Sequence, residues 1–215
     1  MNGSTPGPRA PYRIETERLV LRPFEPEDAE ALRVTTARSK EHLVAFMPWA
    51  RFEPQTLEQK GELILAFRAR YDSREDYVMG IFDPAGRLVG GTGLHPRLGP
   101  GAVEIGYWIT PEKQARGLVT ETVKALCRVA FDGMGVDMIA VRMDPKNERS
   151  ERIPQKLGFQ REGLLRRGFR VDISPPRDVL QYTLLENEFA AAPWRPETVA
   201  HVRAFDVLGR EFELA

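Results

Sequence analysis

The stretch "AVEIGYWIT", residues 102–110, places a carboxylate where it could take a proton. Strand alternation puts Val103, Ile105 and Tyr107 on one face and Glu104, Gly106 and Trp108 on the other. A carboxyl group sharing a face with glycine and tryptophan is partly desolvated. That raises its pKa and suits it to deprotonating an ammonium group, directly or through water. The competing reading is a sheet carboxylate paired with a neighbouring arginine. Just downstream, "KQARGLVTETVKAL" (113–126) sets Gly117 at the entrance of an amphipathic helix. A helix N-terminus offers unpaired N–H groups and a partial positive charge, which suit a phosphate or pyrophosphate. Gly117 permits a tight turn and close approach to the backbone, and Arg116 adds a flexible positive charge. Gly117 as plain loop punctuation stands beside that reading on the motif alone. Neither a G-K-S/T phosphate loop nor G-x-G-x-x-G occurs.

These groups need a frame, and the periodicities describe one. "RLVLRPF" (18–24) alternates as a strand, and "EPEDAEALRVTTARS" follows as a helix with an acidic first turn. Leu57, Gly61, Ile64, Arg68 and Tyr71 recur at helical spacing. Residues 77–83, 87–97 and 102–110 form an antiparallel meander broken by "DPAG" and "LGPG". Val119, Val123, Cys127, Ala130 and Met134 line one helical face up to "GVD". A short apolar strand, "MIAVRM" (138–143), leads into the helical "NERSERIPQKLG". Two final strands, "FQREGLLRRGFRV" and "RDVLQYTLL", flank a "DISPP" loop. Pro154 has no N–H and crowds the carbonyl of Ser150, so this helix is expected to begin near Ser150 or to bend between the two. The class is α+β, with a loose Gly/Pro-rich tail over 1–13, one domain over 14–189, and an extension of unplaced packing over 190–215.

Composition narrows the function. The chain has 215 residues, 42% apolar and 29% charged, enough for one sizeable core. Lys plus Arg and Asp plus Glu number 31 each, so no global field draws nucleic acid or an anionic membrane. One cysteine, Cys127, excludes an internal disulfide or a multi-thiolate metal site, and it reads as core beside Val123 and Ala130. His42, His95 and His201 lack metal-ligand spacing, so no metal is expected; His95 reads as a surface histidine at a strand end, within reach of a substrate. No apolar run approaches the roughly 20 residues of a membrane span, and the first residues lack a signal peptide's apolar stretch. A cytoplasmic protein is expected.

The ordered set of motifs has a family likeness. "QARGLV" resembles the Q/R-x-x-G-x-G/A pyrophosphate loop of the GNAT superfamily of acyl-CoA N-acetyltransferases. "TERLVLRPFEPEDAEAL", "EIGYWITPEKQARGLVTETV", "MIAVRMDPKNERS" and "QKLGFQREGLLR" are similar to family segments in order and spacing, over about residues 16–186. "HLVAFMPWA" resembles the substrate-side loop of the RimJ/RimL type, which acetylates ribosomal-protein N-termini. The resemblance implies a GNAT fold: a mixed twisted sheet of about six to seven strands flanked by about four helices. It implies acetyl-CoA as co-substrate, with Gln114, Ala115, Arg116, Gly117, Leu118, Val119 and Thr120 as the pyrophosphate cradle. Val119 departs from the usual Gly or Ala. Trp108, Ile109 and Thr110 correspond to the strand end that pairs with the pantetheine arm, with an N–H near Ile109 as oxyanion donor. Asn147 and Ser150 correspond to positions facing the cofactor arm and thiol. Pro154 stands where many members carry a general-acid tyrosine, so the thiolate-facing role passes to Ser150, which could also be an N-cap. Phe46 and Trp49 are implied as substrate-pocket walls; the base beside them is Glu104, on the strand-face reading given above. The implied reaction is direct acetyl transfer in a ternary complex to a primary amine, namely a protein or peptide N-terminus. Alternatives are a small amine (an amino acid, polyamine or antibiotic) or a CoA-binding protein without transfer activity. A homodimer is left open.

Overall fold

The alternating segments condense into one nine-stranded sheet among the described residues, which are 7–171 and 174–215 of the computed structural model. In chain order the elements are β1 (Arg13–Glu15), β2 (Val20–Arg22), α1 (Ala29–Val44), α2 (Leu57–Asp72), β3 (Tyr77–Phe82), β4 (Leu88–His95) and β5 (Ala102–Ile109). Then follow α3 (Leu118–Arg128), β6 (Met138–Met143), α4 (Glu148–Lys156), β7 (Gln160–Val171), β8 (Ser174–Leu185), α5 (Glu186–Ala190), α6 (Arg195–His201) and β9 (Arg203–Phe205). The sheet order is β7-β8-β6-β5-β4-β3-β2-β1-β9. β5 and β6 run parallel, and the other neighbours run antiparallel. The mixed α+β sheet of the sequence reading is thus present, extended at one edge by the short β1 and β9.

Two helical layers cover the sheet. The larger core joins Val103 and Ile105 of β5 to Val123, Leu126 and Cys127 of α3, all almost fully buried. Each such aliphatic side chain contributes about 1.5–3 kcal/mol of burial. Past Arg128 the helix widens into a π turn over Val129–Gly133, so its apolar face reaches Met134 with altered winding. On the opposite face Phe24, Leu32 and Ile64 pack with Phe82, Leu88 and Trp108, which seats α1 and α2.

The loop between α1 and α2 is fixed by charge. Lys60 and Glu53 form a buried ion pair, and Lys40 donates to the Glu53 carbonyl. Thr56 and Gln59 form a reciprocal capping box at the start of α2, at 3.2 and 2.9 Å.

Of the expected loose tail, residues 1–6 lie outside the described residues. Residues 7–13 lie against the body: Tyr77 donates to the Pro8 carbonyl, Tyr71 donates to that of Pro11, and Ala10 is buried. The 190–215 extension packs just as firmly. Trp194 donates from Nε1 to the Leu157 carbonyl at 3.1 Å and packs against Phe189 at 5.5 Å between ring centroids, and β9 pairs with β1. In the "DISPP" loop, residues 172–173 lie outside the described residues, whereas Ser174 to Arg177 belong to β8.

Candidate active site

The parallel ladder between β5 and β6 stops early. Its pairs are Ala102 with Met138, Val103 with Ile139 and Glu104 with Ala140, yet β5 runs on to Ile109 and β6 to Met143. Past Glu104 the two strands splay. β5 keeps its bonds to β4 and β6 keeps its bonds to β8, while the edges facing each other carry main-chain groups that an extended ligand can match strand-fashion. Trp108 and Ile109 end β5 at this opening, and the Thr110 amide returns to the Val89 carbonyl at 2.9 Å.

The "QARGLV" loop follows directly. Gly117 is the N-cap of α3 at φ 77°, a left-handed conformation that costs a side-chain-bearing residue, and Ala115 also has positive φ at 57°. A glycine cap brings no side-chain acceptor, and among the described residues no group accepts from the amides of Leu118, Val119 or Thr120. The loop is braced from outside. Arg18 donates to the Arg116 carbonyl at 3.0 Å and to Glu121 at 2.7 Å, and Glu121 also accepts from Thr16 at 2.6 Å. The Arg116 side chain is exposed, Val119 packs partly buried on the main core, and Thr120 is buried. The Gln114 side chain is committed to the protein. It accepts from Arg149 at 2.7 Å and its amide nitrogen contacts His42 Nε2 at 2.6 Å. An amide nitrogen can only donate, so His42 Nε2 accepts. Burial, aided by Arg149, holds the His42 pKa below the usual range. α1, the loop and α4 are thereby tied together by residues that no sequence motif marks.

At α4 the structure corrects the reading of its start. Asn147, not Ser150, is the N-cap, accepting from the Ser150 amide at 3.2 Å, and the helix runs from Glu148 to Lys156 through Pro154. The carbonyl that proline deprives of its helical partner is satisfied elsewhere: the Tyr107 hydroxyl donates to the Ser150 carbonyl at 3.0 Å. The Ser150 hydroxyl is therefore not free, because it donates to the Tyr107 oxygen at 3.1 Å. Burial pushes the Tyr107 hydroxyl pKa up, and the bond from Ser150 offsets part of that. Tyr107 was legible only as a strand residue sharing a face with Val103 and Ile105. The one clue to its role was the carbonyl that Pro154 leaves without a donor.

Glu104 requires a correction as well. It is buried, but both its oxygens are held by guanidinium groups: Arg97 reaches them at 2.9 and 2.5 Å and Arg142 at 2.7 Å. Burial alone would raise the carboxyl pKa, yet the Arg97 and Arg142 contacts outweigh it and hold the group below the usual carboxylate range. The paired-carboxylate reading describes it, and the expectation of a raised pKa does not. On the same sheet face Trp108 meets Trp49 edge-on at 6.0 Å between centroids. Phe46, half-buried, gives its carbonyl to Arg177 at 3.2 Å, and Arg177 also reaches Asp144 at 3.4 Å. The loop after α1, the β7–β8 arm and the end of β6 are therefore joined by Arg177. Cys127 is wholly buried and its pKa is pushed up by that burial, so it stays a core thiol.

The site is thus a sheet splayed beside an uncapped glycine helix start. The family model described as an acetyltransferase (GNAT) domain matches residues 18–160. The chain belongs to the GNAT acetyltransferases. It is 29% identical over 175 residues to the Uncharacterized N-acetyltransferase YoaA of Bacillus subtilis (strain 168), covering 80% of this chain and 96% of that protein. It is 26% identical to the [Ribosomal protein uS5]-alanine N-acetyltransferase of Escherichia coli (strain K12), over 70% of this chain and 79% of that one. The fold matches Mycobacterium smegmatis RimJ in complex with CoA-disulfide at a TM-score of 0.75 and 20% identity, covering 91% and 98% of the two chains. The protein is an acetyltransferase enzyme.

Proposed function

We propose that the enzyme transfers acetyl from acetyl-CoA to a primary amine, a protein or peptide N-terminal α-amine, by direct attack in a ternary complex. The observation that carries this is the uncapped, left-handed Gly117 at the head of α3, set beside the open edges of β5 and β6. Three consecutive amides lacking a protein acceptor, next to unpaired strand edges, fit a pyrophosphate followed by an amide-bearing arm. Leu118, Val119 and Thr120 would hold the pyrophosphate through their N–H groups, with Arg116 as a mobile counter-charge and Gln114 and Ala115 shaping the loop. Trp108, Ile109 and Thr110 would line the arm, with Asn147 at its side. The co-substrate supplies an activated thioester. A β5 backbone N–H near Ile109 stabilises the oxygen that gains charge as the amine adds. The Ser150 hydroxyl, steadied by Tyr107, turns to the departing thiolate. Phe46 and Trp49 wall the acceptor side and exclude water.

The acceptor class is supported by the names of the relatives, one of which acts on the alanine of ribosomal protein uS5. A cytoplasmic setting agrees with such an acceptor; no helix among the described residues is long and apolar enough to cross a membrane. The test is CoA release with acetyl-CoA and a panel of short peptides with free N-termini, amino acids, polyamines and aminoglycosides. Turnover with the peptides is expected. Turnover confined to the small amines would overturn the acceptor class, and no turnover with any of them would overturn the transfer itself.

A further inference from the structure

The acceptor-side face of the sheet has a glycine floor. In the β4–β5 ladder His95 lies opposite Glu104, Gly93 opposite Gly106 and Gly91 opposite Trp108, and directly opposed residues share a face. Two rings lie down on those glycines. A Cβ at Gly91 would sit 2.4 Å from Trp108 Nε1, one at Gly93 would sit 2.9 Å from His95 Nε2, and one at Gly106 would sit 3.0 Å from the same nitrogen. The imidazole therefore covers the Gly93–Gly106 pair, on the face where Trp108 and Trp49 meet. Its side chain is only 17% exposed, so this is not the surface histidine that its strand-end position suggested.

His95 is also oriented. Its Nδ1 lies 2.5 Å from Asp76 Oδ1, in the connection between α2 and β3. A carboxylate only accepts, so Nδ1 carries the proton, and in the neutral ring the lone pair then sits on Nε2. Among the described residues no hydrogen bond engages Nε2. Glu104, the other candidate on this face, has both oxygens occupied by arginines.

We infer that His95 Nε2, rather than Glu104, takes the proton from the acceptor ammonium, with Asp76 as its positioning residue. This rests on the acetyl-transfer reading above. The ammonium gives one proton to Nε2, and the freed lone pair forms the C–N bond to the thioester carbonyl carbon. The C–S bond then breaks, and the sulfur takes the nitrogen's second proton, directly or through Ser150. Nε2 returns its proton to water, so each turnover yields an amide, free CoA and one proton.

The test uses the full chain, acetyl-CoA, and whichever free-N-terminal peptide the wild-type enzyme acetylates. His95→Gln is expected to lower kcat/KM by roughly a hundred- to ten-thousandfold and to abolish its acidic limb, with acetyl-CoA affinity by calorimetry unchanged. Asp76→Asn is expected to give a smaller loss of the same kind. The charged groups around the ring are Arg70, Glu75, Asp76, Arg97 and Glu104, so Glu104→Gln serves as a parallel control on the limb. A nitrogen-15 histidine spectrum of the wild-type chain, which needs neither an acceptor nor a stable variant, is expected to show the Nδ1–H tautomer for His95. A wild-type rate in His95→Gln, or an Nε2–H tautomer, overturns the inference while leaving the transferase intact. An absence of wild-type turnover overturns the proposed function and this inference with it.

Discussion

At the residue scale the site is shaped by what each polar group does when its ordinary partner is missing. Pro154 removes the donor for the Ser150 carbonyl and Tyr107 replaces it across 43 residues of sequence. Tyr107→Phe leaves that partly buried carbonyl without its donor and should cost about 1–2 kcal/mol of stability by chemical denaturation. The variant should also lose maximal rate, because the Ser150 hydroxyl loses its anchor. Ser150→Ala should lower the maximal rate by roughly ten- to a hundredfold with little change in acetyl-CoA affinity, read by steady-state kinetics against calorimetry. Glu104 behaves as a clamp for two arginines. Its folded pKa is depressed, so its ion pairs stabilise the protein above the ordinary carboxylate range and fade as pH falls through the folded value. Glu104→Gln should therefore lose roughly 3 kcal/mol at neutral pH, with the gap to wild type closing in acid, which denaturation across a pH series would show.

At the element scale the strands and most helices follow from periodicity because each has one face on the core. The central strands β3 to β6, the amphipathic α3 and the glycine entrance at Gly117 were all legible in that way. What was not legible depended on contacts across the chain. β1 and β9 are three residues each, too short for alternation to register, and they exist because they pair with one another. The start of α4 was misread because Asn147 and Ser150 are both good caps, and the choice fell to the geometry of the turn before it. The direction of the Glu104 pKa shift hinged on Arg97 and Arg142, which reach it from the loop after β4 and from β6. Two predictions belong here. Gly117→Val puts a β-branched residue at φ 77°, so acetyl-CoA binding should weaken about tenfold or more while the fold persists, and unchanged affinity by calorimetry would speak against the cradle. Trp194→Ala removes a buried indole bonded to the end of α4, and a loss of about 3–5 kcal/mol would confirm that the C-terminal extension is part of the folding unit.

At the scale of the whole molecule, the chain places two chemistries on opposite faces of one strand. On the proposed reading, the β5 face carrying Tyr107, bonded to Ser150, serves the thiol side, and the face carrying Gly106 and Trp108, which His95 covers, serves the acceptor side. The splay between β5 and β6 is where the two can meet, and helices on both sides of the sheet keep that opening in register. Balanced charge over the chain fits an enzyme whose recognition is local to this opening. The most direct measurement compares one peptide in two forms, with its α-amine free and with it chemically blocked, each carrying an internal lysine, by mass spectrometry after incubation with acetyl-CoA. The account predicts one acetyl group on the N-terminus of the free peptide, matched by released CoA, and none on the blocked peptide. Equal modification of both forms, or modification of neither, would contradict it.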